Sequence, residues 1–304
     1  MGNGRWNPDD WAGYAQTHVQ GKTQSQVFTS RTLKKDYDPS SIVQRESCDS
    51  NKNPKSTPII LASDVTGSMG MIAHTLMQTG LNTLATEIYD RKPVTDPHIM
   101  VMAVGDAYTD QAPLQVTQFE ADISLADQVK DLWIEGGGGG NGGESYSAAH
   151  LFAATKTTVD SVIKRGKKGY LFTIGDEPIH DGMTQSQIER VLGVQMEADL
   201  SAAQCLQMAQ RNWEVFHVVL SQEGYCSYGR DEVLRSWRNL MPERTIVLED
   251  VTKLAETVTS VIQVHEGDSV DNVSKSWSGG TSMVVSNALK GLPQGQVSPL
   301  RRLR

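Results

Sequence analysis

Strands and helices alternate along most of this 304-residue chain. Short apolar runs predict buried strands, and longer segments with helical spacing follow them. Such an alternation predicts an α/β fold with a doubly wound, mostly parallel sheet and helices on both faces. The predicted strands are 58–65, 98–106, 168–176, 213–220 and 244–250, and the predicted helices are 71–91, 122–133, 145–165, 199–212, 231–240 and 251–263.

Two segments of different composition flank this pattern. Residues 1–57 are polar apart from scattered aromatic residues such as Trp6 and Trp11, so they bury too little apolar area to fold alone. They form either an arm laid over the main domain or a partly disordered segment, and the tryptophans favour the arm. We therefore predict an arm at 1–57, a main domain at 58–265 and a C-terminal extension with a basic tail at 266–304.

Composition excludes several classes of protein. A formal net charge of -8 argues against a dedicated nucleic-acid binder. No apolar stretch approaches the roughly 20 residues that a membrane helix requires, and the first residues show no secretory signal. The three cysteines share no metal-ligand spacing, which is typical of free thiols in a reducing compartment. We expect a cytoplasmic protein that binds neither nucleic acid nor membrane.

Oxygen-bearing side chains follow three of the predicted strands. Asp64, Thr66 and Ser68 come after the first, and Asp176 and Glu177 come after "YLFTIG"; the third group, Asn141, Glu144 and Ser145, follows a glycine run at 136–140. Ligands of open α/β sheets bind at the carboxyl ends of the strands, and Mg²⁺ prefers oxygen ligands. These loops predict a divalent metal site with one open position. Helix capping alone is the other explanation for Thr66 and Ser68.

The same residues resemble the metal-ion-dependent adhesion site (MIDAS) of von Willebrand factor A (vWA) domains. Asp64, Thr66 and Ser68 match the first motif of the family, Asp-x-Ser/Thr-x-Ser, and Asp176 matches the aspartate of the third. Glu144 stands where most members have a threonine, as in an intracellular subfamily whose loop reads roughly Gly-Gly-Gly-Asp-x-Pro-Glu. Asn141 and Gly143 replace the aspartate and the proline of that loop.

The resemblance covers residues 58–265 and implies a metal site formed by Asp64, Thr66, Ser68, Glu144 and Asp176. It implies Mg²⁺, or Mn²⁺ or Ca²⁺, whose coordination is completed by an oxygen-bearing group of a partner protein, in this family the carboxylate of an acidic side chain. Intracellular members include adaptors that act beside AAA+ ATPases of the MoxR type. Flanking stretches such as "APLQVTQFEAD" also resemble bacterial and bacteriophage vWA proteins, which adds virion proteins as partners and the virion as a location.

Other polar residues allow weaker interpretations. The glycine run lacks the Lys-Ser/Thr of a phosphate-binding loop and has Glu144 in that place, so we interpret it as a loop that brings Glu144 close to the metal. Asp106 and Asp110 either line the rim of the site or form a turn. His180 receives no role. His150 and His217 lie in apolar runs and are predicted to be satisfied core histidines.

Three functions remain open at this point. The first is a non-enzymatic, metal-dependent protein-interaction module, because no nucleophile with an adjacent base is visible. The second is a bacteriophage virion protein with a vWA fold, for which the two extensions would serve assembly. The third is a phosphatase-like hydrolase with Asp64 as nucleophile, although Thr66 stands where such enzymes place their acidic general acid.

Overall fold

The computed structural model of the protein describes residues 4–75, 79–136 and 140–293, with the backbone alone for Ser68 and Gly70. Ten strands and thirteen α-helices lie within these ranges. The strands are β1 (Arg45–Ser47), β2 (Thr57–Asp64), β3 (Pro97–Val104), β4 (Leu114–Val116), β5 (Thr157–Val159), β6 (Gly169–Gly175), β7 (Gly182–Met183), β8 (Leu200–Ser201), β9 (Trp213–Leu220) and β10 (Thr245–Leu248).

The helices connect these strands in the order that the sequence predicts for most of the chain. They are α1 (Pro8–His18), α2 (Gln24–Val27), α3 (Gly70–Thr75), α4 (Leu81–Arg91), α5 (Ser124–Lys130), α6 (Tyr146–Thr155), α7 (Asp160–Arg165), α8 (Gln185–Leu192), α9 (Ala202–Ala209), α10 (Cys226–Leu240), α11 (Leu254–His265), α12 (Val270–Lys275) and α13 (Gly279–Ala288). In the described part of the chain, no helix is both long and apolar enough to cross a membrane.

A six-stranded sheet in the order β10-β9-β6-β2-β3-β4 forms the centre of the molecule. All neighbouring strands are parallel except β4, which pairs antiparallel with β3 at one edge. The central strand β2 pairs with β3 and β6, and all eight of its residues are buried. The mixed α/β class and the mostly parallel sheet are therefore confirmed, and the antiparallel edge strand is an addition that the sequence pattern did not indicate.

Hydrophobic cores lie on both faces of this sheet. Ile59 and Leu61 of β2 belong to a cluster that includes side chains of α4 and α11, whereas Ile60 and Ala62 belong to a second cluster with side chains of α6 and α9. Successive side chains of a strand point to opposite faces, so a continuous apolar run is what a sheet covered on both sides requires. Burial on both faces leaves the strand ends as the place for polar chemistry.

The N-terminal arm packs on the main body. The rings of Trp6 and Trp11 stack at 5.2 Å, and both side chains join the core that contains α4. Trp6 Nε1 donates to the carbonyl of Pro97 at the start of β3. On the C-terminal side, Leu289 is fully buried in the same core. The basic tail from residue 294 lies outside the described residues.

The single helix predicted over residues 145–165 is wrong. The chain forms α6, then the short strand β5, then α7, and β5 pairs in parallel with β1 of the arm. Thr157, Thr158 and Val159 are β-branched and favour a pleated partner over a helix interior. The helix predicted over residues 71–91 corresponds to α3 and α4, and residues 76–78 between them lie outside the described ranges.

Candidate metal centre

The first loop of the site folds back on the carboxylate of Asp64 at the end of β2. Asp64 Oδ1 accepts hydrogen bonds from the backbone N–H of Thr66 at 2.8 Å and from Thr66 Oγ1 at 2.8 Å. Asp64 is fully buried and Thr66 nearly so. Ser68 lies in a 3₁₀ turn over Gly67–Met69, and its side chain is outside the described residues. The bond from the Thr66 N–H is an Asx-turn contact, so the Asp64 carboxylate also orders the start of this loop.

The second loop brings Glu144 to the first. Glu144 Oε1 accepts a hydrogen bond from Thr66 Oγ1 at 2.9 Å, and the Glu144 side chain is buried. Its backbone N–H donates to the carbonyl of Pro178 at 3.0 Å, and its carbonyl accepts from the His180 N–H at 3.2 Å. These two bonds join the second loop to the third, so the position of Glu144 is set by backbone contacts as well as by Thr66.

The third loop places Asp176 directly after β6. Asp176 Oδ2 accepts a hydrogen bond from the backbone N–H of Tyr225, while Oδ1 has no partner among the described residues. Gly175 precedes it, and a Cβ at this position would lie 1.8 Å from the Tyr146 hydroxyl and 3.1 Å from the Asp64 Cβ. Residue 175 is therefore glycine because the Tyr146 hydroxyl occupies the space that a side chain would need.

Tyr146 is a site residue that the sequence interpretation missed. It is the first residue of α6, is fully buried, and its hydroxyl donates to Asp64 Oδ2 at 3.4 Å. The sequence signal was its position two residues after Glu144, where an aromatic side chain starts a buried helix. Through this contact both oxygens of Asp64 face hydrogen-bond donors.

The carboxyl groups of Asp64 and Glu144 share a single hydrogen-bond donor, the hydroxyl of Thr66. Thr66 Oγ1 lies within hydrogen-bond distance of both Asp64 Oδ1 and Glu144 Oε1, but a hydroxyl carries a single hydrogen. If both carboxyl groups are ionised, one of the two contacts sets oxygen lone pairs against each other. The arrangement is satisfied either by a proton on one carboxyl group or by a cation that the hydroxyl and carboxylate oxygens coordinate together.

Burial and mutual repulsion raise the pKa values of these acids. Burial and the nearby charge of Asp176 raise the pKa of Asp64 well above its usual range. Burial and then the charge of Asp64 raise the pKa of Glu144 to about 10. Burial also raises the pKa of Asp176 and of Glu177. Across residues 4–75, 79–136 and 140–293, no lysine or arginine forms an ion pair with Asp64, Glu144 or Asp176.

Asp106 lies at the same edge of the sheet, but its carboxylate is saturated. It accepts hydrogen bonds from Asn141 Nδ2 at 2.6 Å, Ser145 Oγ at 3.1 Å and the Tyr108 N–H at 3.0 Å, and it contacts His180 Nε2 at 3.1 Å. Burial acts to raise the pKa of Asp106, but the bonds from His180, Tyr108 and Asn141 outweigh it and hold the pKa at about 2. Asp106 therefore stays ionised without a metal.

This arrangement corrects the role expected of Asn141 and Ser145. Both were grouped with the oxygen ligands of the second loop, but they donate to Asp106 instead. An amide at 141 suits this contact because an aspartate there would face another carboxylate. Glycine at 143 leaves room for His180, since a Cβ at this position would lie 2.9 Å from His180 Nδ1.

Asp110, His217 and His150 have structural roles. Asp110 Oδ2 accepts from the backbone N–H of Asp106 at 2.8 Å, which is turn formation. His217 is buried and only half satisfied: its Nδ1 contacts Thr173 Oγ1 at 2.9 Å, whereas its Nε2 has no partner among the described residues. His150 is a core residue as predicted, but it is not satisfied, because neither ring nitrogen has a partner among the described residues.

The donor set fits a hard divalent cation. In the described ranges no three His, Cys, Asp or Glu side chains form a ready metal-binding group. Asp64 and Glu144 instead share a threonine hydroxyl, and Glu144 Oε2 and Asp176 Oδ1 are buried oxygens without a partner in those ranges. Carboxylate and hydroxyl oxygens are the ligands that Mg²⁺ and Ca²⁺ accept. A cation bound here would satisfy groups that the protein leaves unsatisfied.

Comparison with known proteins gives a distant likeness in fold. The sequence matches no protein-family model and no curated protein. Solved structures that match include two crystal structures of the pilus adhesin SpaC from Lactobacillus rhamnosus GG, one in an open conformation, with TM-scores of 0.44 and 0.45 and 12% identity. The matches cover 71% of this chain and 31% and 32% of the adhesin chains, so the protein spans about a third of their length. A likeness this distant carries no functional argument.

Proposed function

We propose that the protein is a doubly wound vWA-type domain that acts as a non-enzymatic, divalent-metal-dependent protein-interaction module. Its metal is Mg²⁺, Mn²⁺ or Ca²⁺, held by Asp64, Thr66, Glu144 and Asp176, with Ser68 as a further ligand. The cation would supply an open coordination position, and an oxygen-bearing group of a partner protein would complete it.

The observation that supports this proposal best is the shared hydroxyl of Thr66. A single hydrogen lies between two buried carboxyl groups that belong to different loops. Burying two carboxylates with no cation nearby is costly, and proteins keep such an arrangement where a metal or a proton compensates the charge. Glu144 Oε2 and Asp176 Oδ1 add two further buried acceptors that lack a donor in the described residues.

The surroundings of Asp64 support binding over hydrolysis. A carboxylate nucleophile must reach a phosphorus atom, but Asp64 is fully buried and its Oδ1 accepts two hydrogen bonds. Its Oδ2 faces the Tyr146 hydroxyl. Thr66 stands at the position of the general acid and cannot serve as one at neutral pH because a hydroxyl does not release its proton readily.

The charge of the site bears on the partner. Asp64, Glu144 and Asp176 together place three negative charges around a dication, which leaves a net charge of about -1 once all are ionised. A threonine in place of Glu144 would leave the site neutral. We therefore propose that the open position binds a neutral oxygen, such as an amide or hydroxyl, more readily than a carboxylate.

Metal-dependent capture of a partner tests the module. The full chain and Asp64→Asn are immobilised and exposed to candidate partner proteins in Mg²⁺ or in EDTA. We expect a protein that the wild type retains in Mg²⁺, releases in EDTA and does not retain in Asp64→Asn. Identification of that protein distinguishes an AAA+ ATPase from a virion protein.

A matched control uses Asp271→Asn, which changes an exposed carboxylate of α12 that belongs to none of the three loops of the site and pairs with Lys275. Retention that survives both EDTA and Asp64→Asn would rule out a metal-dependent module. Hydrolysis of a generic phosphoester in Mg²⁺, abolished by Asp64→Asn and kept by Asp271→Asn, would replace the module with an enzyme.

A further inference from the structure

The third loop of the metal centre carries a carboxylate that the fold leaves unpaired. Glu177 follows Asp176 and is half-buried, and its backbone carbonyl accepts a hydrogen bond from Trp237 Nε1 at 3.0 Å. Its carboxylate forms no hydrogen bond and no ion pair with any described residue. Burial, and then the charge of Asp176, raises the pKa of Glu177, and the interaction with His180 opposes this only in part. A cation placed beside Glu177 would therefore stabilise its ionised form.

Further negative charge surrounds Glu177. Burial is the main reason why the pKa values of Asp64, Glu144 and Asp176 are raised. The charge of Glu177 adds to this effect on Asp64 and Glu144, and the charge of Glu223 adds to it on Asp176. A dication bound by the three ligands would offset only part of this negative charge. The rim of the metal centre therefore attracts cationic groups.

Exposed aromatic side chains lie on one flank of the third loop. The backbone N–H of Tyr225 donates to Asp176, and the charge of Glu177 acts on the Tyr225 hydroxyl. The ring of Tyr228 lies 5.0 Å from the ring of Tyr225, and Tyr228 is 78% exposed. The charges beside Tyr228 balance, because the cavity there is lined by two arginines and two acids, Arg230, Arg235, Asp231 and Glu232.

A further exposed tyrosine lies on the other flank. Tyr108 is 58% exposed, and its ring lies 4.8 Å from the ring of His180. His180 Nε2 contacts Asp106 at 3.1 Å, so a positive charge on His180 would face a carboxylate of the chain itself. Arg190, which donates to the carbonyl of Ala107, adds one positive charge to this flank, whereas several carboxylates surround the metal centre. Both flanks thus offer aromatic rings, and the loop between them offers negative charge.

We propose that the surface formed by Tyr108, Glu177, Tyr225 and Tyr228 binds a basic segment of the partner protein, in which an arginine pairs with Glu177. This inference rests on the proposed function, because the metal brings the partner to this surface. A guanidinium pairs with a carboxylate through its planar fork and also stacks on a tyrosine ring, so arginine fits better than lysine. The acidic partner that the vWA resemblance implies would instead face unpaired negative charge.

Three capped tetrapeptides test this proposal on the full chain. They are Gly-Asn-Arg-Gly and the same peptide with glutamine or glutamate in place of arginine, so that asparagine offers the metal a neutral oxygen in each. Shifts of the Glu177 and Tyr228 amide resonances in ¹H–¹⁵N spectra give the affinities in Mg²⁺ and in EDTA. In Mg²⁺ the arginine peptide should bind about three- to tenfold tighter than the glutamine peptide, and the glutamate peptide should bind weakest. High salt should reduce this preference.

The two media separate this inference from the proposed function. EDTA should weaken the arginine and glutamine peptides alike, because both lose the metal, but it should leave the preference for arginine, since a guanidinium reaches Glu177 without the metal. Affinities that EDTA does not lower would contradict the metal-dependent module, whereas a retained preference for arginine would still support the pairing with Glu177. Equal affinities of the arginine and glutamine peptides in Mg²⁺ would overturn this inference alone.

Glu177→Gln assigns the preference to its carboxylate. This variant should bind the arginine and glutamine peptides equally, whereas Glu243→Gln, an exposed glutamate just before β10, should keep the preference. Tyr228→Ala should weaken the arginine peptide more than the glutamine peptide. Calorimetry with Mg²⁺ should show a much smaller loss in Glu177→Gln than in Asp64→Asn. Equal losses would make Glu177 a metal ligand and overturn the proposal, as would a preference that survives Glu177→Gln or tightest binding of the glutamate peptide.

Discussion

Carboxylates are held in opposite ways at the two ends of the parallel strands, which we call the amino edge and the carboxyl edge of the sheet. At the amino edge, Glu214 contacts Arg244 at 2.6 Å and His265 at 3.4 Å, and the hydrogen bond from His265 with the charge of Arg244 lowers the pKa of Glu214 to about 2. At the carboxyl edge, burial and the charge of Asp64 raise the pKa of Glu144 to about 10. The residue type is the same, but Glu144 is more deeply buried and lacks the cationic partners that Glu214 has.

Pairing, and not position, makes this difference. Asp106 lies at the carboxyl edge beside Glu144, yet the hydrogen bonds from His180, Tyr108 and Asn141 hold its pKa at about 2. At the amino edge, Asp49 is bound by two nitrogens of Arg165 at 2.6 and 3.1 Å. Asp106 and Asp49 are satisfied by donors of the chain itself, whereas Glu144 Oε2 and Asp176 Oδ1 have no donor among the described residues.

The largest expected effect is the loss of metal binding in Asp64→Asn. This change removes one charge and one ligand at the centre of the site but keeps an oxygen for the N–H of Thr66. Because even changes next to a metal's ligands cost about 10- to 100-fold in affinity, we expect a loss above about 100-fold. Calorimetry with Mg²⁺ and Mn²⁺ measures it, with Asp271→Asn as the control. Equal affinity in wild type and Asp64→Asn would place the metal elsewhere.

The second prediction concerns the free energy of unfolding without metal, which a glutamate-to-glutamine change should raise at the carboxyl edge and lower at the amino edge. Glu144→Gln should stabilise the metal-free protein by about 1–3 kcal/mol at pH 7, because glutamine removes the cost of protonating a carboxylate that is ionised in the unfolded chain. Glu214→Gln should destabilise it by about 1 kcal/mol, a value reduced for the solvent that screens this partly exposed side chain. Urea unfolding in EDTA measures both.

A matched outcome sharpens this test. Adding Mg²⁺ should stabilise the wild type and Glu214→Gln by similar amounts, since ligand that binds only the native state adds to its stability. Glu144→Gln should gain less. If Glu144→Gln destabilises the metal-free protein as much as Glu214→Gln does, then the Glu144 carboxylate is ionised and stabilised without metal, and the proposed contrast with Glu214 is wrong.

The sequence predicted the five parallel strands of the central sheet and the first members of the site because both depend on local patterns. Strands β2, β3, β6 and β9 are continuous apolar runs, and oxygen-bearing residues follow two of them directly. It did not predict the break at Lys156, because β5 depends on pairing with Arg45–Ser47, more than a hundred residues earlier.

The hydrogen-bond partners of the site were equally hidden from the sequence. Asn141 and Ser145 have the residue types of metal ligands, but the fold places Asp106 within their reach and takes both as donors. Tyr146 reaches Asp64 only because the first turn of α6 packs over the end of β2. Which oxygen finds a donor is a property of three loops together and cannot be read from any one of them.

The third prediction uses pH to separate the two edges. A group with a raised native pKa binds more protons in the native state, so stability falls as pH rises between the unfolded value of 4.5 and about 10 for Glu144. A group with a lowered native pKa acts oppositely, so the contribution of Glu214 is full above 4.5 and is lost as pH falls towards about 2.

Unfolding in EDTA between pH 6 and 9 should therefore show decreasing stability for the wild type and a flatter profile for Glu144→Gln. Between pH 5 and 2.5 the wild type should lose more stability than Glu214→Gln, which lacks the titrating group. Parallel profiles of wild type and Glu144→Gln above pH 6 would show that Glu144 keeps its charge without metal, and the contrast between the edges would fail.

The smallest expected effect concerns the ligand that the open position accepts. Glu144→Thr exchanges a carboxylate for a hydroxyl, so it removes one negative charge from the shell of the cation while keeping an oxygen in the second loop. Metal affinity should fall because the dication loses a charged ligand. The bound metal should then attract an incoming carboxylate more strongly, and a capped aspartate peptide in saturating Mn²⁺ should bind Glu144→Thr several-fold tighter than the wild type.

Glu144→Gln provides the comparison, because it removes the same charge with a side chain of the original length. If both variants strengthen the peptide equally, charge alone sets the preference of the site; if neither does, Glu144 lies outside the coordination shell, and its raised pKa reflects burial beside Asp64 without any role in choosing a partner.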